Sequence, residues 1–379
     1  MSDVSLPPEK SPDVLSDVLT ASNGKQLGLL TLNVEKNLNS LTLNMVDKML
    51  SSLHQWQQDE RIVAVVICGA GSKAFCAGGD VQALYRSAIE TPGGPCVYAE
   101  TFFEREYRLD YLLHTFTKPV LCWGHGIVMG GGLGIMAACS HRVVTEKTRI
   151  AMPEVTIALF PDVGASCFLN RMPGHSGRFL AITGAAMNGA DGLYTGIADY
   201  FISNEQQSTA LKALLATDWV GCANQDSQLL SDCLAALHRN SVDPMPKGNV
   251  EPHIAQINAM CASSELTVIV ECIIAYEGDD SWMQQARNGL ASGSPLAVNW
   301  IFKQLEITRC STLNDVFRKE LLLATTVVRY PEFAEGVRAL LIDKDRNPRW
   351  EYSSVEAVPD KLLQRFFEAP WPENPLRDL

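Results

Sequence analysis

A buried strand that empties into glycines and then a helix occurs twice in this chain, about sixty residues apart, and this repeat ties the chain to an α/β arrangement. Residues 62–68 read I-V-A-V-V-I-C, a β-branched run suited to a strand covered on both faces. They lead into G-A-G-S-K-A-F-C-A-G-G-D at 69–80 and a helical segment from Val81 to Ser87. Val120 to Trp123 repeat the strand, Gly130, Gly131 and Gly132 the turn, and Leu133 to Cys139 a small-residue helix. Glycine permits the tight turn. A helix that opens on glycines presents free N–H groups and the positive end of its dipole, with no side chain in a ligand's way. Two such turns can each offer one N–H to a single oxygen. Acyl transfer needs this, because charge grows on a thioester or ester carbonyl oxygen in the transition state.

Two carboxylates follow the second turn. Glu154 comes after Pro153 and Asp162 after Pro161, eight positions on, each at the edge of an apolar run (Ile150 to Met152, then Val155 to Phe160). Scarce solvent there raises a carboxylate's pKa toward the working range of a base. Taken alone, the pair also fits solvated caps at proline turns.

The net charge of −12 argues against nucleic acid or an anionic membrane as partner, so an anionic ligand needs a local basic cluster. Lys73 beside the first glycine turn, and Arg338, Lys344 and Arg346, are the candidates. The eleven cysteines are scattered, with no C-x-x-C pair, which is the pattern of reduced thiols and not of a disulfide framework or a zinc site. No metal is expected. Residues 1–12 lack a signal core and transit-peptide character, and no apolar run reaches the length of a membrane span. A soluble cytoplasmic protein is the expectation, with self-association left open.

Along the chain, residues 1–12 read as a disordered lead. Val14 to Leu19 and Leu27 to Leu32 flank Ser22-Asn23-Gly24 as a hairpin. Thr42 reads as a helix cap, followed by Met45, Met49, Leu53 and Trp56 on one face. Gly184 reads as a helix stop and Ser294-Pro295 as a helix start. From about Asn204 the pattern is helical, broken by a loop at Pro244, Pro246 and Gly248. The expected division is a core over 13–203 and a helical region over 204–379.

The combination A-F-C-A-G-G-D, H-G-I-V-M-G-G-G and M-P-E-V-T-I-A-L-F-P-D-V-G resembles the enoyl-CoA hydratase/isomerase (crotonase) superfamily, and within it the branch that hydrolyses 3-hydroxyisobutyryl-CoA. The similarity runs from about Asn37 to Trp350 and includes F-F-E-R-E-Y at 102–107. It implies an α/β fold: a crotonase-like spiral of ββα units with a helical C-terminal region. It implies backbone N–H groups of Ala77 and Gly131 as an oxyanion hole, and Glu154 and Asp162 as the catalytic carboxylates. Glu106 matches a substrate-contacting acid, although on its helix it could also pair with Arg105 or Arg108. The CoA adenine is expected beside Ala74 to Gly78, with Lys73 near the phosphates.

The departures from the hydratases carry information. Hydratases have a Glu two positions after the triple glycine, where this chain has Gly134; dienoyl-CoA isomerases have an Asp there. Hydrolysis of a short branched 3-hydroxyacyl-CoA is therefore the expected activity, with 3-hydroxyisobutyryl-CoA, an intermediate of valine breakdown, as substrate. CoA is part of the substrate, and no cofactor is expected. The alternatives are an enoyl-CoA hydratase or dienoyl-CoA isomerase, and a non-catalytic acyl-CoA-binding protein.

Overall fold

The computed structural model describes residues 12–241 and 245–379. Residues 1–11 of the expected 1–12 lead and Pro244 of the expected loop lie outside the described residues. Strands β1 (Val14–Thr20) and β2 (Gln26–Leu32) form the antiparallel hairpin, with Gly24 in the left-handed region at its turn. The remaining strands are β3 (Ile62–Gly69), β4 (Ala74–Cys76), β5 (Val120–Gly124), β6 (Ile127–Met129), β7 (His141–Val144), β8 (Arg149–Ala151), β9 (Met187–Asn188) and β10 (Tyr200–Phe201). They make a six-stranded sheet in the order β1-β2-β3-β5-β7-β10, parallel from β2 onward, and a four-stranded sheet in the order β4-β6-β8-β9.

Three times in succession the chain lays a strand in the large sheet and, within a few residues, a strand in the small one. That alternation winds the two sheets into a spiral. The β-branched run of β3 is buried on both faces, as a parallel strand inside layers must be. Ile62, Val65 and Ile67 join the main core, while Val63, Ala64 and Val66 face a second apolar cluster.

The helices of the spiral are α1 (Leu43–Gln58), α2 (Val81–Glu90), α3 (Val97–His114), α4 (Gly131–Ala138), α5 (Ala165–Leu169), α6 (Ser176–Thr183) and α7 (Gly189–Tyr194). Thr42 caps α1 by accepting from Met45 N at 3.2 Å, and Met45, Met49, Leu53 and Trp56 are all buried. Gly184, at φ 64°, ends α6. After β10 the described chain is helical: α8 (Gln207–Ala216), α9 (Ala223–Arg239), α10 (Val250–Met260), α11 (Leu266–Ile274) and α12 (Ser281–Ser292). Then come α13 (Pro295–Thr308), α14 (Leu313–Val328), α15 (Pro331–Val337) and α16 (Asp360–Arg365). Ser294 caps α13 with Pro295 in its first turn. Helix α14 returns to pack on α3, which brings a late segment against the middle of the spiral.

Candidate active site

Three neighbouring parallel strands of the small sheet, β4, β6 and β8, end side by side, in register through Cys76 with Val128 and Met129 with Ala151. Their carboxyl ends deliver Ala77, Gly130 with Gly131, and Glu154 to one place, where open α/β sheets bind ligands. A cavity of about 290 Å³ lies there, lined by these residues and by Gly78, Phe102, Phe103, Glu106, Asp162, Leu340 and Leu341. A polar cleft of about 350 Å³ between Lys25, Lys118 and Asp226 shares no residue with it.

Glycine is required at these turns. Gly78 has φ 103° and Gly130 φ 49°, conformations an L side chain rarely adopts. A Cβ on Gly130 would lie 3.2 Å from Glu154 Oε1, and a Cβ on Gly131 would collide with Glu106 Oε1. The two carboxyl groups therefore flank the glycine pair. Leu133 and Gly134 both donate to Gly130 O, which leaves the N–H groups of Gly131 and Gly132 without a partner inside α4.

Ala77 differs from expectation in one respect. It lines the cavity, but its N–H donates to Leu38 O at 3.0 Å. Leu38 is held in the left-handed region at φ 54°, and the adjacent Asn39, fully buried, fastens this loop by donating to Ala70 O and Ala74 O. An incoming oxygen must share that N–H with Leu38 or take it over.

Five acids, with no ion-pairing cation among the described residues, gather at the turn that bears Asp162. Glu106 and Asp110 come from one face of α3, Glu154 and Asp162 from the segment after β8, and Glu320 from α14; all are buried. Glu106 does not pair with its neighbouring arginines. Arg105 reaches Asp47 and Glu104, and Arg108 reaches Glu104 and Asp378. Among the described residues, Glu106 Oε1, Glu154 Oε2 and both oxygens of Asp110 find no hydrogen-bond partner. Asp162 is better served, because Tyr107 Oη donates to its Oδ2 at 2.7 Å. Glu320 accepts from Gly164 N at 2.7 Å and Ser166 N at 2.9 Å, fixing the turn just after Asp162. Val163 in that turn has φ 54°, a strained setting for a β-branched residue.

Burial pushes every one of these acids upward. Glu154 rises well above the ordinary range, through burial and then through the charge of Asp162. Glu106 rises through burial, Asp162 and Glu154. Asp162 reaches only about 6, because the Tyr107 hydroxyl favours its charged form.

The remaining expected residues lie elsewhere. Ala74 is buried at the start of β4 and Lys73 is exposed beside it; neither lines the cavity. Arg338 is held by Glu335, Asp343 and Asp345, so its charge is already matched. Lys344 and Arg346 are exposed, and neither lines the cavity. Sequence reasoning missed Tyr107, Asp110, Glu320 and Asn39. Among the described residues, no group of three or more His, Cys, Asp or Glu side chains could hold a metal ion, and no helix is long and apolar enough to cross a membrane.

Residues 27–367 match the enoyl-CoA hydratase/isomerase family. The 3-hydroxyisobutyryl-CoA hydrolases, mitochondrial, of Gallus gallus and Homo sapiens are each 34% identical to this chain, over 95% of it and 90% of their own length. Among solved structures, a carnitinyl-CoA dehydratase from Mycobacterium thermoresistibile superposes with a TM-score of 0.83 at 31% identity, over 96% of this chain and 98% of the other. The match spans both sheets, the strand ends that build the cavity and helix α14 behind it, and the chain belongs to the enoyl-CoA hydratase/isomerase (crotonase) family.

Proposed function

We propose that this chain is a thioesterase that cleaves 3-hydroxyisobutyryl-CoA to 3-hydroxyisobutyrate and CoA, a step of valine breakdown. The observation that carries the reading is the Glu154/Asp162 pair standing opposite a glycine at 134. A Cβ there would press on Val163 and lie 3.2 Å from Asp110 Oδ2, so the space of the hydratases' second acid is already filled. Two curated relatives of near-full coverage are named for this hydrolysis.

In this reading the thioester carbonyl oxygen sits at the N–H of Gly131, with Ala77 as the second donor once Leu38 yields it. Burial and mutual repulsion disfavour two negative charges on the Glu154/Asp162 pair, so in this reading it carries one proton, held on Glu154 before substrate engages. That proton moves to Asp162 as Glu154 engages the substrate. The Glu154 carboxylate then attacks the carbonyl carbon, forming a C–O bond. The C–S bond breaks, and the departing thiolate takes the proton from Asp162. Water next attacks the glutamyl carbonyl of the resulting anhydride and gives a proton back to Asp162; the bridging oxygen, which came from Glu154, leaves with the acyl group as 3-hydroxyisobutyric acid, and the Glu154 carboxylate is regenerated with an oxygen from water. No cofactor enters, and CoA is part of the substrate. Glu106 contacts the bound acyl group from the opposite side of the glycines. Lys73, Ala74 and Gly78 belong to the CoA side of the site.

The solved carnitinyl-CoA dehydratase favours one second reading, addition or removal of water across an acyl-CoA double bond. Five buried acids held without cations argue against a protein that merely binds acyl-CoA. All eleven cysteines are free, which suits a reducing compartment such as the cytoplasm; the vertebrate relatives are named as mitochondrial, and fractionation distinguishes the two. The deciding experiment is free-thiol release from a panel of CoA thioesters beside absorbance detection of enoyl hydration. Thiol release from 3-hydroxyisobutyryl-CoA without hydration is expected. Hydration of crotonyl-CoA at ordinary enzymatic rates would overturn the reading.

A further inference from the structure

We infer that Tyr107 is the positioning residue of Asp162: from helix α3 its hydroxyl donates to Asp162 Oδ2 and holds that group as a carboxylate on the cavity wall. The inference rests on the hydrolase reading for the role of Asp162, and its test includes a readout that does not need that role.

Every other titratable group facing Asp162 works against its charge or is silent. Glu106 and Asp110 stand on α3, Glu154 on the turn after β8, and Glu320 on α14. His114, whose ring nitrogen lies beside Gly164, is kept neutral by burial, which pushes it down to about 4. No cation belongs to this set. Among the described residues, the one side-chain hydrogen bond made to Asp162 comes from Tyr107. A phenol beside a carboxylate donates to it, and a donor to the charged form favours that form. Remove the hydroxyl, and Asp162 is a buried acid among acids that keeps its proton to higher pH and cannot take up the proton of Glu154.

The tyrosine is itself held in place. Its ring is fully buried between Phe103 and Phe317, at centroid distances of 6.0 and 5.9 Å. Phe317 lies one turn before Glu320 on α14, so a single helix face braces both the tyrosine ring and the backbone just after Asp162. Side chain and turn are thereby fixed together.

The test is Tyr107→Phe, which keeps the ring packing and deletes the donor. The acid-side limb of kcat/KM against pH should move up from about 6 by roughly one unit, a loss of about tenfold at low pH that closes as pH rises. Tyr111→Phe, whose ring also packs on Phe317, should leave the limb in place. A Tyr107→Phe limb that coincides with wild type overturns the inference, as does an equal shift in Tyr111→Phe. The independent readout is ¹³C NMR titration of carboxyl-labelled wild type, with the Asp162 signal assigned by its loss in Asp162→Asn. In carboxyl-labelled Tyr107→Phe the Asp162 signal should titrate at higher pH than in wild type. An unmoved Asp162 signal sinks the inference even if thiol release is observed, whereas the shift without thiol release sinks the hydrolase reading alone.

Discussion

Glu106 Oε1 occupies the space that a Cβ on Gly131 would need, so the acid of helix α3 and the first residue of helix α4 are fitted to each other atom against hydrogen. Gly131→Ala must therefore displace Glu106 or shift the start of helix α4, whose N–H the proposed mechanism uses. Loss of one oxyanion donor costs roughly a hundred- to a thousandfold in kcat. Thiol release by Gly131→Ala should fall in that range while the protein stays folded by circular dichroism; near-normal turnover would remove Gly131 from the chemistry.

Glu154 and Asp162 should fail in different ways. Glu154→Gln removes the attacking oxygen and should nearly abolish hydrolysis. Asp162→Asn removes only the proton carrier, for which a loss on the order of 10²- to 10⁴-fold is expected. Single-turnover runs with ¹⁸O-labelled enzyme separate attack from base catalysis, since only attack passes label from Glu154 to the product. Absence of that transfer would leave Glu154 as a base that activates water.

Stability should fall as pH rises through the neutral range. Glu320 is raised from an ordinary 4.5 to about 8 and Asp162 from 3.8 to about 6, so both keep protons in the folded chain where the unfolded chain has lost them. Unfolding then releases protons, and alkali favours it. The contribution of these groups is complete below their unfolded values and is gone once pH passes about 6 for Asp162 and about 8 for Glu320. His114 acts in the opposite direction, but only below about 6.5. Melting temperatures should decline from about pH 6.5 to about pH 8; a flat profile over that interval contradicts the assignment.

Glu320→Gln tests the clamp on the Asp162 turn. An amide offers one acceptor where two N–H groups, of Gly164 and Ser166, now bind, so one buried donor is left unmet at a cost of about 1–3 kcal/mol. The variant should melt lower at pH 6.5 yet lose less on going to pH 8, because its titrating group is gone. Equal slopes in the two proteins would place the alkaline loss elsewhere.

Asp110 predicts the reverse. It is fully buried, neither of its oxygens has a hydrogen-bond partner among the described residues, and it does not line the cavity. Replacing a buried unpaired acid with an apolar residue of similar volume removes a desolvation cost. Asp110→Leu should raise the melting temperature by a few degrees, most clearly at alkaline pH, and a lowered value there would reveal a partner this geometry does not show.

What the sequence made legible was local. Thr42, Gly184 and Ser294-Pro295 act within one helical turn, and the two glycine turns and the Pro-Glu and Pro-Asp steps lie within single strand–turn segments. Tyr107 and Glu320 escaped because their partners are 55 and about 155 residues away, at Asp162, Gly164 and Ser166. One signal for α3 was available: Phe103, Glu106, Asp110 and Leu113 recur at helical spacing, which places two acids on an apolar stripe. An ion pair of Glu106 with Arg105 or Arg108 fits the sequence equally well, and only the fold supplies those arginines with Asp47, Glu104 and Asp378 instead. The occupied N–H of Ala77 depends on the left-handed Leu38, a backbone state no residue type there announces.

Helix α14 also sets a timetable. Phe317 and Glu320 close the brace around Tyr107 and the Asp162 turn, and they belong to the last quarter of the chain. A growing polypeptide can thus emit the segments of both sheets well before the brace around Tyr107 and the Asp162 turn can close. Refolding should show the same order, with far-ultraviolet dichroism recovering ahead of thiol release; simultaneous recovery would mean that α14 docks as early as the sheets pair.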